Sequence, residues 1–167
     1  KNGLQVIVVE NHELPVVGMQ LAVNAGRADE TRDKRGLASF AASMLSKGTR
    51  TRSADEIASA IDFVGGSLGA SATFEATLVS CAVLAKDLGV CRDLLADVVT
   101  HPTFLETEMP QIRDELLSAV RQRADDAAEL AATHFQNALW GDDHVRGWVM
   151  SSRTLSAISR ADLTAWH

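Results

Sequence analysis

Apolar and polar positions along this chain change period several times, and each change marks an element. QVIVVE at residues 5–10 and VVGMQLAV at 16–23 are short apolar runs separated by a turn-like segment from Asn11 to Pro15. Two such runs predict two strands, paired as a hairpin or lying as sheet neighbours. Residues 24–35 are a polar connection with one glycine. From Gly36 the period lengthens: Leu37, Phe40, Ala41, Met44 and Leu45 fall at i, i+3, i+4, i+7 and i+8, the stripe of a helix with one buried face. Lys47-Gly48 supplies a basic last turn and a glycine stop. Ser53 and Glu56 then form a capping-box signature. Ile57, Ile61 and Val64 carry a second helical stripe, which Gly65-Gly66 ends.

Residues 67–84 hold the strongest sheet signal. SLGASA alternates small and polar residues, and TFEATLVSCAVL places Val79, Cys81 and Val83 on one side and Leu78 and Ala82 on the other. That alternation predicts an antiparallel pair with one buried face. Leu88, Cys91, Leu95 and Val98 mark a further helix, which His101-Pro102 breaks. A long helix is expected from Glu106 to about Leu139, with an interruption near Asp125-Asp126. Residues 140–153 read as loop, and Ser159 with Asp162 as another helix cap. The sequence thus predicts an α+β domain of two layers, with helices packed on a mostly antiparallel or mixed sheet.

The chain has 167 residues, of which 46% are apolar, enough for one compact domain with a real core. The net charge is −6, and the basic residues are scattered among acidic ones. This argues against a nucleic-acid partner, which needs a basic face. No run approaches the length of a membrane span, and no signal peptide is evident. Cys81 and Cys91 form neither a CxxC motif nor a disulfide framework, and are expected to act as small buried hydrophobes.

Local chemistry is sparse. The histidines are His12, His101, His134, His144 and His167, and no two stand three or four residues apart to share a metal. Gly65, Gly66 and Gly69 lack the spacing of a phosphate cradle. Ser43 and Lys47 are one helical turn apart, but a serine inside a helix has no free backbone N–H groups beside it to stabilise an oxyanion.

One segment carries more. GLASFAASMLSKGT at residues 36–49 resembles the signature helix of the pitrilysin or insulinase-like (M16) zinc peptidases, in which an inverted HxxEH motif stands in a context close to GLAHFLEHMLFKGT. Gly36-Leu37-Ala38, Phe40, Met44-Leu45 and Lys47-Gly48-Thr49 match the flanks. NGLQVIVVEN at residues 2–11, HPTF at 101–104 and ALWG at 138–141 extend the likeness along the chain. At the chemical positions the match fails. The first zinc histidine falls on Ser39, the general-base glutamate on Ala42 and the second zinc histidine on Ser43. The third ligand, a glutamate of a later helix, falls on Ala119, with Glu115 one turn earlier as the fallback.

The resemblance implies an M16-like N-terminal domain, incomplete as it stands, with residues 1–167 the front part of one peptidase domain and the natural polypeptide continuing further. It implies no catalytic residues and no metal ligands in this chain, with zinc expected only in an active partner. The implied function is that of a non-catalytic homologue, related to subunits of the mitochondrial processing peptidases and their bacterial relatives. It would pair with a zinc-bearing M16 homologue and help enclose peptide substrate in a shared chamber. A structural or scaffold subunit of the same fold remains open, as does an engineered or atypical zinc metalloendopeptidase. The bacterial periplasm is favoured over the cytoplasm, because such bacterial relatives are often exported.

Overall fold

A computed structural model describes residues 3–167. In chain order they form β1 (Val16–Val23), α1 (Leu37–Met44), α2 (Ala54–Phe63), β2 (Ser67–Ala72), β3 (Thr77–Leu84), α3 (Leu88–Thr100), α4 (Met109–Asp125), α5 (Ala127–Trp140), α6 (Ser152–Ser156) and α7 (Arg160–Trp166). The three strands make an antiparallel sheet in the order β1-β3-β2. β2 and β3 are joined by a tight turn, in which the Thr73 hydroxyl accepts from the Ala76 N–H at 3.0 Å. Strand periodicity sends Val79, Cys81 and Val83 to the inner face, each at most 3% exposed. Ser80 and Leu84 face solvent on the other side. Helices therefore cover one face of a small open sheet, a two-layer arrangement.

α1 is the centre of the core. It packs on β2 and β3 on one side and on α4 and α7 on the other. Its stripe is buried as the period predicts, with Phe40 and Met44 fully enclosed, and Ala38 and Ala42 are buried as well. Leu155, Ile158 and Leu163, on and between α6 and α7, close the core beside it. Arg113 of α4 fastens this end. Its guanidinium lies 5.5 Å from the Phe40 ring centre. It donates to the carbonyls of Leu155 and Ile158 at 2.9 and 2.8 Å, tying the end of α6 and the residues after it to α4.

The capping signals hold. Ser53 and Glu56 form a reciprocal capping box, as do Ser159 and Asp162. The break in the long helix falls at Asp126, whose carboxylate accepts from the Ala128 and Glu129 N–H groups and starts α5 afresh.

Three expectations are corrected. Residues 5–10 form no strand: Val6, Ile7, Val8 and Val9 are 72–88% exposed, and no described residue pairs with them in a ladder. Strand composition supplies propensity, but a strand exists only with a partner, and the chain between Asn11 and Pro15 does not fold this segment back on β1. The stretch 140–153 is not loop to its end, because α6 begins at Ser152 under a Ser151–Thr154 capping box. The cysteines are bonded to each other rather than merely buried, with Cα atoms 5.9 Å apart across β3 and α3. Among the described residues no helix is long and apolar enough to cross a membrane.

Candidate functional site

The site is built around the start of α1. Gly36 precedes the helix at φ +106°, a left-handed conformation that favours glycine, and a Cβ there would also press on the flexible Met150 side chain at 2.8 Å. Gly36 has no side chain with which to cap, and Glu30 does that work from a preceding turn. Its Oε1 accepts from the Gly36 and Ala38 N–H groups at 3.1 and 2.8 Å, which satisfies two of the helix's open donors. Its Oε2 accepts from Arg35 Nη1 at 2.9 Å, and both side chains are almost fully enclosed. Arg35 also donates to the carbonyl of Arg27. Burial pushes the Glu30 carboxyl above its ordinary value, against the Ala38 N–H, the charge of Arg35 and the Gly36 N–H, which pull it down. Burial likewise lowers Arg35, against the pull of Glu30.

A second lock holds the far end of α1. Asp97 of α3 accepts from the hydroxyls of Thr49 and Thr51, each at 2.8 Å, and from Arg52 Nη1 at 2.6 Å. Burial alone would raise this carboxyl, but the hydrogen bonds and the charge of Arg52 carry it below the ordinary value.

Between these anchors lie the positions singled out by the sequence. Ser39 is half-buried and opens into a cavity of about 410 Å³ bounded by the α1 entry, α5 and the segment around Arg146–Met150. Ser43 follows one turn later, also half-buried. Ala42 is 2% exposed. It faces a separate, mainly apolar cavity with Leu45, Val79 and Phe104. Ala119 and Glu115 lie together along a shallow groove on the exposed side of α4. Ser39 and Ala42 thus open into different cavities, and neither shares one with Ala119. What the Ser39 cavity does gain from α4 is Arg123, one turn beyond Ala119.

These residues do not fit a zinc ion. Tetrahedral zinc takes imidazole, thiolate or carboxylate. Ser39, Ala42 and Ser43 bring none of these, and Ala119 brings no donor. Among the described residues, no group of three or more His, Cys, Asp or Glu side chains could hold a metal ion.

Sequence reading missed what does line the Ser39 cavity. Arg27, Arg123 and Arg146 stand in the sequence only as members of a scattered set of basic residues. All three reach this cavity, with Phe74, Trp140 and Trp148 as its aromatic walls. The guanidinium of Arg146 sits 4.0 Å from the Phe74 ring centre and 5.7 Å from that of Trp140. Trp148 is held by its indole N–H, which donates to the Asp142 carbonyl at 2.8 Å. The four-residue step from position 119 to Arg123 was the one local signal available. The rest converges from elements distant in sequence.

The fold and its sparse chemistry define a class: a two-layer α+β domain built around α1, with no metal-holding cluster of side chains among the described residues. The profile of the family described as "Insulinase (Peptidase family M16)" matches residues 5–152, and the chain belongs to that family. An uncharacterized zinc protease of Mycobacterium tuberculosis is 35% identical over 166 residues, covering 99% of this chain and 38% of the relative. Another from Rickettsia felis is 27% identical over 161 residues, covering 96% of this chain and 39% of its own length. The chain therefore spans about two-fifths of these curated relatives. Among solved structures, a peptidase M16 inactive domain from Pseudomonas fluorescens superposes with a TM-score of 0.85 at 24% identity, covering 95% of this chain and 39% of that one. Pitrilysin superposes at 0.76 and 19% identity, covering 90% of this chain and 16% of its own length. At such identities these structures speak for the fold.

Proposed function

We propose that this chain is the passive half of a two-part peptidase. In this reading it is a zinc-less M16 homologue that pairs with a zinc-bearing one and forms part of the wall around the peptide. One observation carries the reading. In α1 the packing positions Leu37, Phe40, Met44 and Leu45 are buried as a folded helix needs, while the motif positions hold Ser39, Ala42 and Ser43. Water activation needs the ion and a base beside it, and this helix supplies neither the ligands nor the base. The solved Pseudomonas fluorescens relative is itself described as an inactive domain, which supports a recurring non-catalytic role. The Cys81–Cys91 bond supports an oxidising compartment, in keeping with export to a bacterial periplasm. The reading also has residues 1–167 as the front part of one peptidase domain in a longer polypeptide.

Purified protein should carry well under one zinc per molecule by elemental analysis and cleave no peptide alone. Added to a zinc-bearing homologue, it should raise peptide cleavage above that homologue's own rate, and a chelator should abolish the gain. Stoichiometric zinc with chelator-sensitive cleavage by this protein alone would overturn the reading. Failure to associate with any active homologue would favour a scaffold role instead.

A further inference from the structure

The Ser39 cavity has a charge that runs against the rest of the chain. The whole chain is at −6, yet four arginines, Arg27, Arg35, Arg123 and Arg146, face two glutamates here, a formal excess of two positive charges. Arg35 is neutralised by Glu30. Arg27, Arg123 and Arg146 have no ion-pair partner among the described residues, and Glu129 is the one acid left to offset them. A concave site walled by protein concentrates such a field on whatever enters it.

Arg146 is also held in place before any ligand arrives. Its guanidinium lies against the Phe74 ring at 4.0 Å. Stacking leaves its edge N–H groups free, and that fork matches a carboxylate with two parallel hydrogen bonds. Trp140 and Trp148 give the same cavity apolar walls suited to the aliphatic parts of a short peptide. Its volume of about 410 Å³ is in the range of small-ligand sites.

We infer that this cavity binds carboxylate-bearing peptide segments, gripping the carboxylate with Arg146, Arg123 and Arg27 and the neighbouring side chains against Trp140 and Trp148. The inference deepens the reading of the chain as a substrate-holding subunit and rests on it. It adds the substrate class: acidic side chains or a free C-terminal carboxylate, with basic segments disfavoured. No bond is made or broken in the cavity.

The test is direct binding to the purified chain, read by tryptophan emission, since Trp140 and Trp148 line the cavity and Trp166 does not. Three ten-residue peptides serve as probes: a Glu/Ala peptide with an amidated end, a Ser/Ala peptide with a free C-terminal carboxylate, and the same Ser/Ala peptide amidated. The first should bind about tenfold tighter than the third, the scale of one charge-assisted contact, and should weaken as salt is raised. Tighter binding of the second than the third would assign the grip to the C-terminus, and the first alone would assign it to acidic side chains. Arg146→Gln and Arg123→Gln should each cost about fivefold or more in affinity, with unchanged circular dichroism and melting temperature. Equal binding of all three peptides, or arginine variants that bind as well as the parent, would overturn the inference. Loss of acidic preference with intact stimulation of a zinc-bearing homologue would sink this inference and leave the pairing standing. Intact acidic preference without any association would do the reverse.

Discussion

α1 and α5 line the same cavity and could hardly be held more differently. Six of the eight residues of α1 are buried, and its entry is fixed by the enclosed Glu30–Arg35 pair. α5 buries none of its residues. It leaves Phe135 67% and Leu139 62% exposed. What holds it is local: the Asp126 cap at its start, and Asn137, whose side-chain amide donates to the Gly147 carbonyl at 2.8 Å near its end. The lesson concerns where stability resides. One wall is part of the core and should open only with global unfolding, while the other should move at small cost.

The largest effect is expected at Glu30. Glu30→Ala removes the cap of α1 and leaves Arg35 buried without a partner. Breaking a buried pair in this way costs about 3–5 kcal/mol, visible as a lowered urea midpoint. Replacing Arg35 by Met in the same chain should recover part of the loss, because no charge then stays buried alone. If Glu30→Ala costs no more than a surface substitution, the fixed wall is not fixed by this pair.

The disulfide comes next, because it ties β3, on which α1 packs, to α3. It closes a loop with a sequence separation of 10. Constraining the unfolded chain over such a loop is worth about 2–3 kcal/mol. Reducing it, or replacing both cysteines with alanine, should lower the unfolding midpoint accordingly while leaving peptide binding in the folded chain unchanged.

The same asymmetry separates what was legible in the sequence from what was not. Leu37, Phe40, Ala41, Met44 and Leu45 showed the core face of α1 because burial imposes a period. Ser53–Glu56 and Ser159–Asp162 showed helix starts because capping is local chemistry, while Asp125-Asp126 showed only an interruption. Ser39, Ala42 and Ser43 were singled out only through their neighbours, whose spacing resembles the family's. Residues 5–10 misled because an apolar run reports propensity and not a pairing partner. The cysteine pair was invisible because only the folded hairpin and α3 bring positions 81 and 91 together. Glu30 and Arg35 looked like two charges in a polar connection, and nothing local marked them as enclosed. The arginines of the cavity come from three separate segments, a convergence that exists only once the chain has folded.

A smaller effect belongs to Asp162, which joins α7 to the connection before α1. Its carboxylate accepts from Lys34 Nζ at 2.8 Å and from the Ser159 N–H and hydroxyl at 2.7 and 2.6 Å. Lys34 and these Ser159 donors hold it down at about 2, from an ordinary 3.8. A depressed carboxyl contributes stability above its unfolded pKa and loses it as pH falls through the folded one. Asp162→Asn should therefore cost about 1–1.5 kcal/mol near neutrality, the scale of a cap with a charge contact. The gap between parent and variant should close as pH falls from about 4 to about 2. A gap that persists unchanged at pH 2 would mean the carboxylate's charge is not what matters.

The smallest effect is expected on the other wall. Leu139 of α5 is 62% exposed, so Leu139→Ala gives up little transfer free energy, and alanine is the better helix former. The net change in unfolding free energy should be within about 0.5 kcal/mol. Met44 of α1 is of comparable size but fully enclosed. Met44→Ala should cost about 2–5 kcal/mol through lost contacts and a residual cavity. Native-state hydrogen exchange should rank the two helices in the same order. Amides of α5 should open with a free energy well below the global value, and those of α1 only at it. The two substitutions differ too in what they do to exchange: Met44→Ala should lower protection throughout the core, whereas Leu139→Ala should leave α1 untouched. If Leu139→Ala destabilised the whole chain as much as Met44→Ala, or if α5 amides were as protected as those of α1, both walls would belong to one cooperative unit. The cavity would then have no soft side through which a peptide could enter.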